Sequence, residues 1–425
     1  MLIALPALSL LAASAFVSAQ THQPIPVTLS GSPGNHTLLR DGKPYFIASA
    51  GGVDAIASLA AAGGNSVRTW GADDIGPLLD EAHKLGMSVT VGIWLEHERH
   101  GFDYGNAEMV AEQFEKAKAA ILKYKDHPAV LMWGIGNEME GDGNDEQIWL
   151  AINAIVKMAK ELDPHHPTMT VIAEMGASGE KVKNIHRLCP DIDIIGINSY
   201  GGGPSIFERY KAHGGTKPYI ITEFGPNGTW EIGRNSFNAP IEPTSTQIAA
   251  SYRATYEKAV LGAKGTTLGS YAFLWGNKME ATATWFGMLL PDGTRLAAAE
   301  TMSELWTGKP PANRVPVIAS IAYAAAASEK QGVGKAGETL KITLDVTDPE
   351  NDPLTAEWVL LRETTQYETG GDFIATPEQL VSAVRDASLT GASIQLPGPG
   401  IYRLYAFIRD GKGGGATANL PVKVE

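Results

Sequence analysis

Residues 129–138 read AVLMWGIGNE, an apolar run of strand length that passes directly into an amide and a carboxylate, Asn137 and Glu138. A run with no polar alternation is the pattern of a strand buried on both faces, as in parallel sheets. Working outward from it, similar runs bounded by Gly or Asn recur near residues 44–50, 65–70, 87–94, 168–173, 192–198, 218–223 and 268–275. Between them the spacing turns helical. Ile75, Leu78, Leu79, Ala82 and Leu85 fall on one face, as do Val110, Phe114, Ala117 and Ile121, and later Ile248, Tyr252, Tyr256 and Val260. Those stripes are core, not cofactor contacts. With a last helix around RLAAAETMSELW (295–306), eight strands alternate with eight helices, and that count closes a ring. The expected fold is α/β, a (β/α)8 TIM barrel.

The chain of 425 residues is longer than a barrel of roughly 250, and a module of roughly 100 accounts for the excess. Residues 1–19, MLIALPALSLLAASAFVSA, read as a signal peptide, although no Lys or Arg precedes the apolar run. Export to the periplasm or the extracellular space is therefore expected. The barrel is assigned to 20–308, a Pro-rich linker (KPPANRVP) to 309–316 and a small immunoglobulin-like β-sandwich to 317–425, where Leu340, Ile342, Leu344 and Val346 alternate with polar residues. A net charge of -13 excludes a large basic face, so neither nucleic acid nor a membrane surface is expected as partner. The single cysteine, Cys189, permits no intramolecular disulfide and reads as buried and inert.

In barrels the reacting groups stand at the C-terminal ends of strands. The fourth run ends on Asn137 and Glu138, and the seventh, PYIITE (218–223), ends on Glu223. These strands lie on facing parts of an eight-membered ring, so both carboxylates can enter one mouth. Glycoside hydrolysis with retention needs such a pair about 5–5.5 Å apart, one giving a proton to the leaving oxygen and the other attacking the anomeric carbon. Either carboxylate alone could simply cap a helix or pair with a lysine. Together, WGIGNE and ITEFG resemble the two signatures of glycoside hydrolase clan A, particularly families 2 and 5, over residues from about 40 to 306.

That resemblance implies Glu138 as general acid/base, Glu223 as nucleophile and Asn137 as the holder of the sugar 2-hydroxyl. It also places Arg68 (NSVR, 65–68) beside the nucleophile, Tyr200 (GINSY, 196–200) as its hydrogen-bond donor, and Trp275 (YAFLWG, 271–276) as a sugar platform. Asn198 stands where family 5 often carries histidine, a departure that leaves its part open. Each has a plainer alternative: an ordinary ion pair for Arg68, a core tyrosine for Tyr200, packing for Trp275. Trp70, Trp94, Trp230 and Trp285 are open between further sugar contacts and core, as tryptophan serves both. His97 and His100 in LEHERH (95–100) lack the HExxH spacing of a zinc helix, and His97 is taken as a sugar contact. Glu174 and Glu280 read as subsite contacts or solvated loop residues. No GxGxxG, P-loop or nucleophile-elbow serine occurs, so no cofactor and no metal are expected. The acidic stretch DVTDPENDP (345–353), with Asp345, Asp348, Glu350 and Asp352, reads as a solvated turn rather than a calcium site, since EF-hand spacing is absent.

The expected activity is retaining hydrolysis of β-glycosidic bonds in a carbohydrate. Fold and nucleophile do not choose the sugar. The stretch VRTWGADDIGPLLDEAHKLGMSVTVGIWL (67–95) is similar to barrels acting on β-1,3-glucans, including glucan-remodelling transglycosylases. β-Glucan therefore leads, with transglycosylation and β-mannan or β-galactoside hydrolysis as alternatives. Full-length family 2 exo-enzymes resemble one another in carrying sandwich domains before the barrel, and only a short stretch precedes residue 44 here, which favours endo action. The rival class is a carbohydrate-binding protein without turnover, against which the two glutamates speak. The C-terminal sandwich is expected to be a spacer, since no exposed aromatic row is evident in it.

Overall fold

Apolar residues alternate with polar ones before the barrel begins, in VTLSGS and NHTLLR, and the two stretches pair. The computed structural model describes residues 23–324, 332–364, 367, 371 and 374–425; the expected signal peptide at 1–19 lies outside the described residues. β1 (Val27–Ser32) and β2 (Asn35–Arg40) form an antiparallel hairpin with Val27 opposite Arg40, extended by the short β3 (Lys43–Pro44). Its buried Val27 and Leu38 join Ile47, Leu131, Ile194, Ile220 and Leu268 in one cluster at the N-terminal end of the barrel. The short stretch before residue 44 is thus a plug.

The barrel strands are β4 (Ile47–Gly51), β5 (Ser66–Arg68), β6 (Ser88–Ile93), β7 (Val130–Asn137), β8 (Thr168–Ala173), β9 (Ile194–Asn198), β10 (Tyr219–Glu223) and β11 (Thr267–Ala272). All pair in parallel in chain order, and β11 returns to β4 to close the ring. Around it lie α1 (Ile56–Ala61), α2 (Gly76–Lys84), α3 (Ala107–Tyr124), α4 (Glu146–Leu162), α5 (Glu180–Leu188), α6 (Ile206–Ala212), α7 (Ser245–Thr255) and α8 (Ala297–Thr307). Their starts follow local chemistry. Asn106 accepts from the N–H groups of Glu108 and Met109 at the head of α3, and Thr244 and Gln247 form a capping box on α7. Leu85 is the exception to the expected stripes: α2 stops at Lys84 and leaves Leu85 exposed. Cys189 is buried, and burial pushes its thiol up to about 12.

The C-terminal residues form two four-stranded sheets over a shared core. One runs β12 (Val317–Tyr323), β14 (Thr339–Thr347), β17 (Gly391–Gln395), β16 (Val384–Ser388); the other runs β13 (Val333–Gly334), β19 (Gly415–Val424), β18 (Gly400–Arg409), β15 (Thr355–Arg362). Ile342, Leu344, Trp358, Leu360, Ile394, Leu404 and Ile408 fill the space between them. Asp348 builds the acidic turn by accepting from the N–H groups of Glu350 and Asp352, and Lys412 Nζ lies 2.6 Å from Asp352 Oδ1. Asp345 stands on the exposed side of β14.

The sandwich does not hang from a free tether. In the Pro-rich segment Val315 N–H donates to Glu300 Oε2 at 2.6 Å and Asn313 Nδ2 to Asp410 Oδ2 at 2.8 Å. Beyond it, Ile318 N–H meets Thr246 Oγ1 at 3.0 Å and Thr417 N–H meets Ser245 Oγ at 2.9 Å, both at the start of α7. The segment is clamped between two bodies that touch.

Candidate active site

Ridges at strand ends decide what enters the mouth. β7 loses its register with β8 between Gly134 and Asn137, and Gly136 sits at φ +75, where a Cβ would meet Met139 Sδ at 2.3 Å. Only glycine fits there. The turn carries Glu138 at φ 53, with its N–H donated to Val171 O at 3.0 Å. Across the ring β10 ends on Glu223, a residue only 6% exposed. Both glutamates line one cavity of about 730 Å3, with Trp70, Trp94, His97, Asn137, Asn198 and Tyr200.

The two carboxyl groups sit in opposite surroundings. Glu223 Oε1 accepts from Arg68 Nη1 at 2.8 Å and Trp70 Nε1 at 2.7 Å, and its Oε2 from the Tyr200 hydroxyl at 2.8 Å. Three donors, one of them a buried cation, converge on that oxygen pair. Burial and the Glu223 and Glu138 charges push the Tyr200 phenol well up, so it keeps the proton it donates. Glu138 Oε1 accepts from Asn198 Nδ2 at 2.7 Å. Burial first, and then the Glu223 charge, push the Glu138 carboxyl up to about 8. One group is surrounded by donors, and the other is placed to hold a proton near neutrality.

The amides are oriented by a chain of contacts. Thr222 Oγ1 donates to Asn198 Oδ1 at 2.7 Å, which leaves the Asn198 amino group to donate to Glu138 and, at 3.2 Å, to Asn137 Oδ1. Arg68 Nη2 donates to the same Asn137 oxygen at 2.6 Å. The Asn137 amino group is then the part left to meet a ligand oxygen. Asn198, open in the sequence, therefore ties Glu138 to the Asn137 amide. Behind the loop, Lys181 Nζ donates to Glu140 Oε1 at 2.7 Å and to Ala173 O at 2.6 Å, a buried pair two residues from Glu138.

Trp275 does not do what was expected of it. It is 1% exposed, lies outside the cavity lining, and donates Nε1–H to Ser58 Oγ at 2.9 Å while its ring packs near Trp306. β11 ends at Ala272, so the chain turns before Trp275, and Phe273 and Leu274 face the cavity instead. Trp285 is likewise core, with Nε1–H on Asn227 O. Trp94 and Trp230 line the cavity at 41% and 49% exposure, and the His97 ring stacks on Trp94 with centroids 5.1 Å apart. Glu174 is held by Arg209 at 2.6 Å and by Ser199, and Glu280 lies 2.5 Å from Lys278 Nζ. Among the described residues the one cluster of metal-ligand type is Asp348, Glu350 and Asp352, away from this cavity.

Sequence reasoning missed Trp70 as a donor to Glu223, although the signal was present. Trp70 follows Arg68 by only two residues, just past the end of β5, and both side chains reach Glu223. Arg99, Phe273, Leu274, Glu231, Lys278 and Gly371 also line the cavity, and nothing in their local sequence marks them.

Residues 72–243 match the family model described as glycosyl hydrolases family 2, TIM barrel domain. Over 154 residues the chain is 29% identical to a putative β-glucuronidase of Formosa agariphila, covering 36% of this chain and 12% of that protein. Among solved structures, the β-D-glucuronidase of Dictyoglomus thermophilum superposes with a TM-score of 0.52 at 19% identity, over 67% of this chain and 54% of that one. A putative β-galactosidase from Bacteroides fragilis gives 0.51 at 14% identity over 94% of this chain and 57% of that one, so its likeness in fold extends beyond the barrel. The chain spans about half the length of these structural relatives and a smaller part of the curated one. The barrel resembles that of family 2 in clan A.

Proposed function

We propose that this protein is a retaining β-glycoside hydrolase acting by double displacement, with Glu138 as general acid/base and Glu223 as nucleophile. The observation that carries the reading is the contrast between the two carboxyl groups: Glu223 takes three donors, and Glu138 is pushed up to about 8. In the first step Glu138 gives its proton to the leaving oxygen as Glu223 attacks the anomeric carbon. In the second, Glu138 takes a proton from water as the glycosyl–Glu223 bond breaks. Asn137 donates to the 2-hydroxyl, a contact that strengthens as positive charge develops on the ring.

For substrate, β-glucan is the leading reading, supported by the resemblance carried in residues 67–95 and by Trp70, Trp94 and Trp230 along the cavity. A second reading, β-uronide hydrolysis, is favoured by Arg99 and Lys278 on the cavity wall, cations suited to a sugar carboxylate, and by the β-glucuronidases among the relatives. Product analysis on laminarin, mixed-linkage glucan, mannan, β-galactan and an aryl β-glucuronide separates them. Wild type should act on one of these and release the β-anomer first, whereas Glu223→Gln should lose activity by at least about a thousandfold. Release of the α-anomer first would sink retention, and full activity in Glu223→Gln would sink the assignment of the nucleophile.

A further inference from the structure

One wall of the cavity comes from outside the barrel. Gly371, in the sandwich segment between β15 and β16, lines the cavity, and its N–H donates to Glu280 Oε1 at 3.1 Å. At φ +88 a Cβ on Gly371 would meet nothing within 4 Å, so open space adjoins it. Tyr367, four residues earlier, is 9% exposed and belongs to the aromatic cluster of Phe273, Trp285 and Phe286, against which Trp70 and Tyr200 pack. Its carbonyl accepts from Thr229 Oγ1 at 2.6 Å, and its hydroxyl donates to Glu363 Oε1 at 2.6 Å. The sandwich is therefore seated on the loops that follow β10 and β11, the same loops that bring Trp230 and Glu280 to the cavity.

A spacer needs none of these contacts. A buried ring and two hydrogen bonds across the interface fix the backbone at Tyr367 and Gly371 before any ligand arrives, which removes an ordering cost from binding. We propose that the sandwich is a structural part of the sugar-binding cleft. Gly371 forms its wall beside Glu280, and Tyr367 is the positioning residue that seats the sandwich on the loops behind that wall, so the pair sets the preference for sugar units beyond the one between the two glutamates. The ligand class is a β-linked oligosaccharide, and the inference rests on the β-glycosidase reading above.

Tryptophan fluorescence of the full chain, titrated with β-linked gluco-oligosaccharides of two and six units, reads the cleft without requiring turnover. Thr229→Val removes the donor to the Tyr367 carbonyl, and Tyr367→Ala removes the ring. In both, the ratio of six-unit to two-unit affinity should fall by roughly three- to tenfold, the reach of one hydrogen bond or a buried contact. A merely structural loss would lower both affinities together and leave the ratio unchanged, which would overturn the proposal. Should Tyr367→Ala fail to fold, the ratio in Thr229→Val decides alone. Hydrolysis by wild type with an unaltered ratio in the variants sinks this inference only, while absence of any glycan binding or turnover by wild type sinks it together with the reading it rests on.

Discussion

At the residue scale, the proton on Glu138 is the feature most open to measurement. Its carboxyl is pushed up to about 8 by burial and by the Glu223 charge, so the proposed acid should be lost as pH rises through that value. We expect kcat/KM to fall tenfold per pH unit above about 8; a profile flat from pH 7 to 10 would count against Glu138 as the acid. The same shift has a consequence for stability. A carboxyl whose pKa is higher in the folded chain than in the unfolded one binds more protons when folded, so its contribution is present below about 4.5 and lost as pH rises through about 8. Glu138→Gln carries no such charge. Its melting temperature should exceed that of wild type at pH 9 and approach it at pH 5, and equal differences at both values would show that the charge costs the fold nothing.

At the element scale, the loop from β7 to α4 depends on a buried ion pair that the sequence did not announce. Lys181 and Glu140 are both buried, and Lys181 also reaches Ala173 O at the end of β8, so one ammonium ties two strand ends together. Lys181→Met would leave Glu140 buried and without its cation, at a cost of about 3–5 kcal/mol. Urea unfolding should show that loss, and the double variant Lys181→Met with Glu140→Leu should recover much of it. A single variant as stable as wild type would mean that the pair holds nothing. How much was legible follows from what each element hides. The eight barrel strands are apolar runs, and burial on both faces makes such runs plain; the hairpin at 27–40 hides because only Val27 and Leu38 face the core fully. Trp275 misled because it closes the apolar run 268–275, taken whole as the eighth strand, where the resemblance implies a sugar platform. β11 stops at Ala272, a length that apolar composition alone does not fix. Glu138 and Glu223 were readable for the opposite reason: the first directly follows β7 and the second ends β10, with no intervening loop.

At the scale of the whole molecule, no local pattern could reveal that barrel and sandwich share polar contacts, because the partners lie far apart in sequence. Arg403, on β18, is 1% exposed and donates to both oxygens of Glu363, to Asn419 Oδ1 at 2.7 Å and to Pro240 O at 2.9 Å on the barrel. Burial alone would lower the guanidinium, but the Glu363 charge and hydrogen bonds outweigh it and hold the group above its ordinary value, so it stays charged at every working pH. The guanidinium joins the sandwich segment that leads to Tyr367 to the barrel loop that leads into α7. Two bodies coupled in this way should melt together, giving one calorimetric transition whose van't Hoff and calorimetric enthalpies agree. Arg403→Met keeps the apolar stem but strips Glu363, Asn419 and Pro240 O of the guanidinium donor, and Glu363 is then a buried charge without its cation, left with the Tyr367 hydroxyl. The expected cost is about 3–5 kcal/mol, and because it falls on the junction, the single transition should broaden or divide in two. The double variant Arg403→Met with Glu363→Leu removes the stranded charge and should restore stability while leaving the junction weaker. Two transitions already present in wild type would mean that barrel and sandwich fold as separate units, and the contacts at Arg403 would then report packing without coupling.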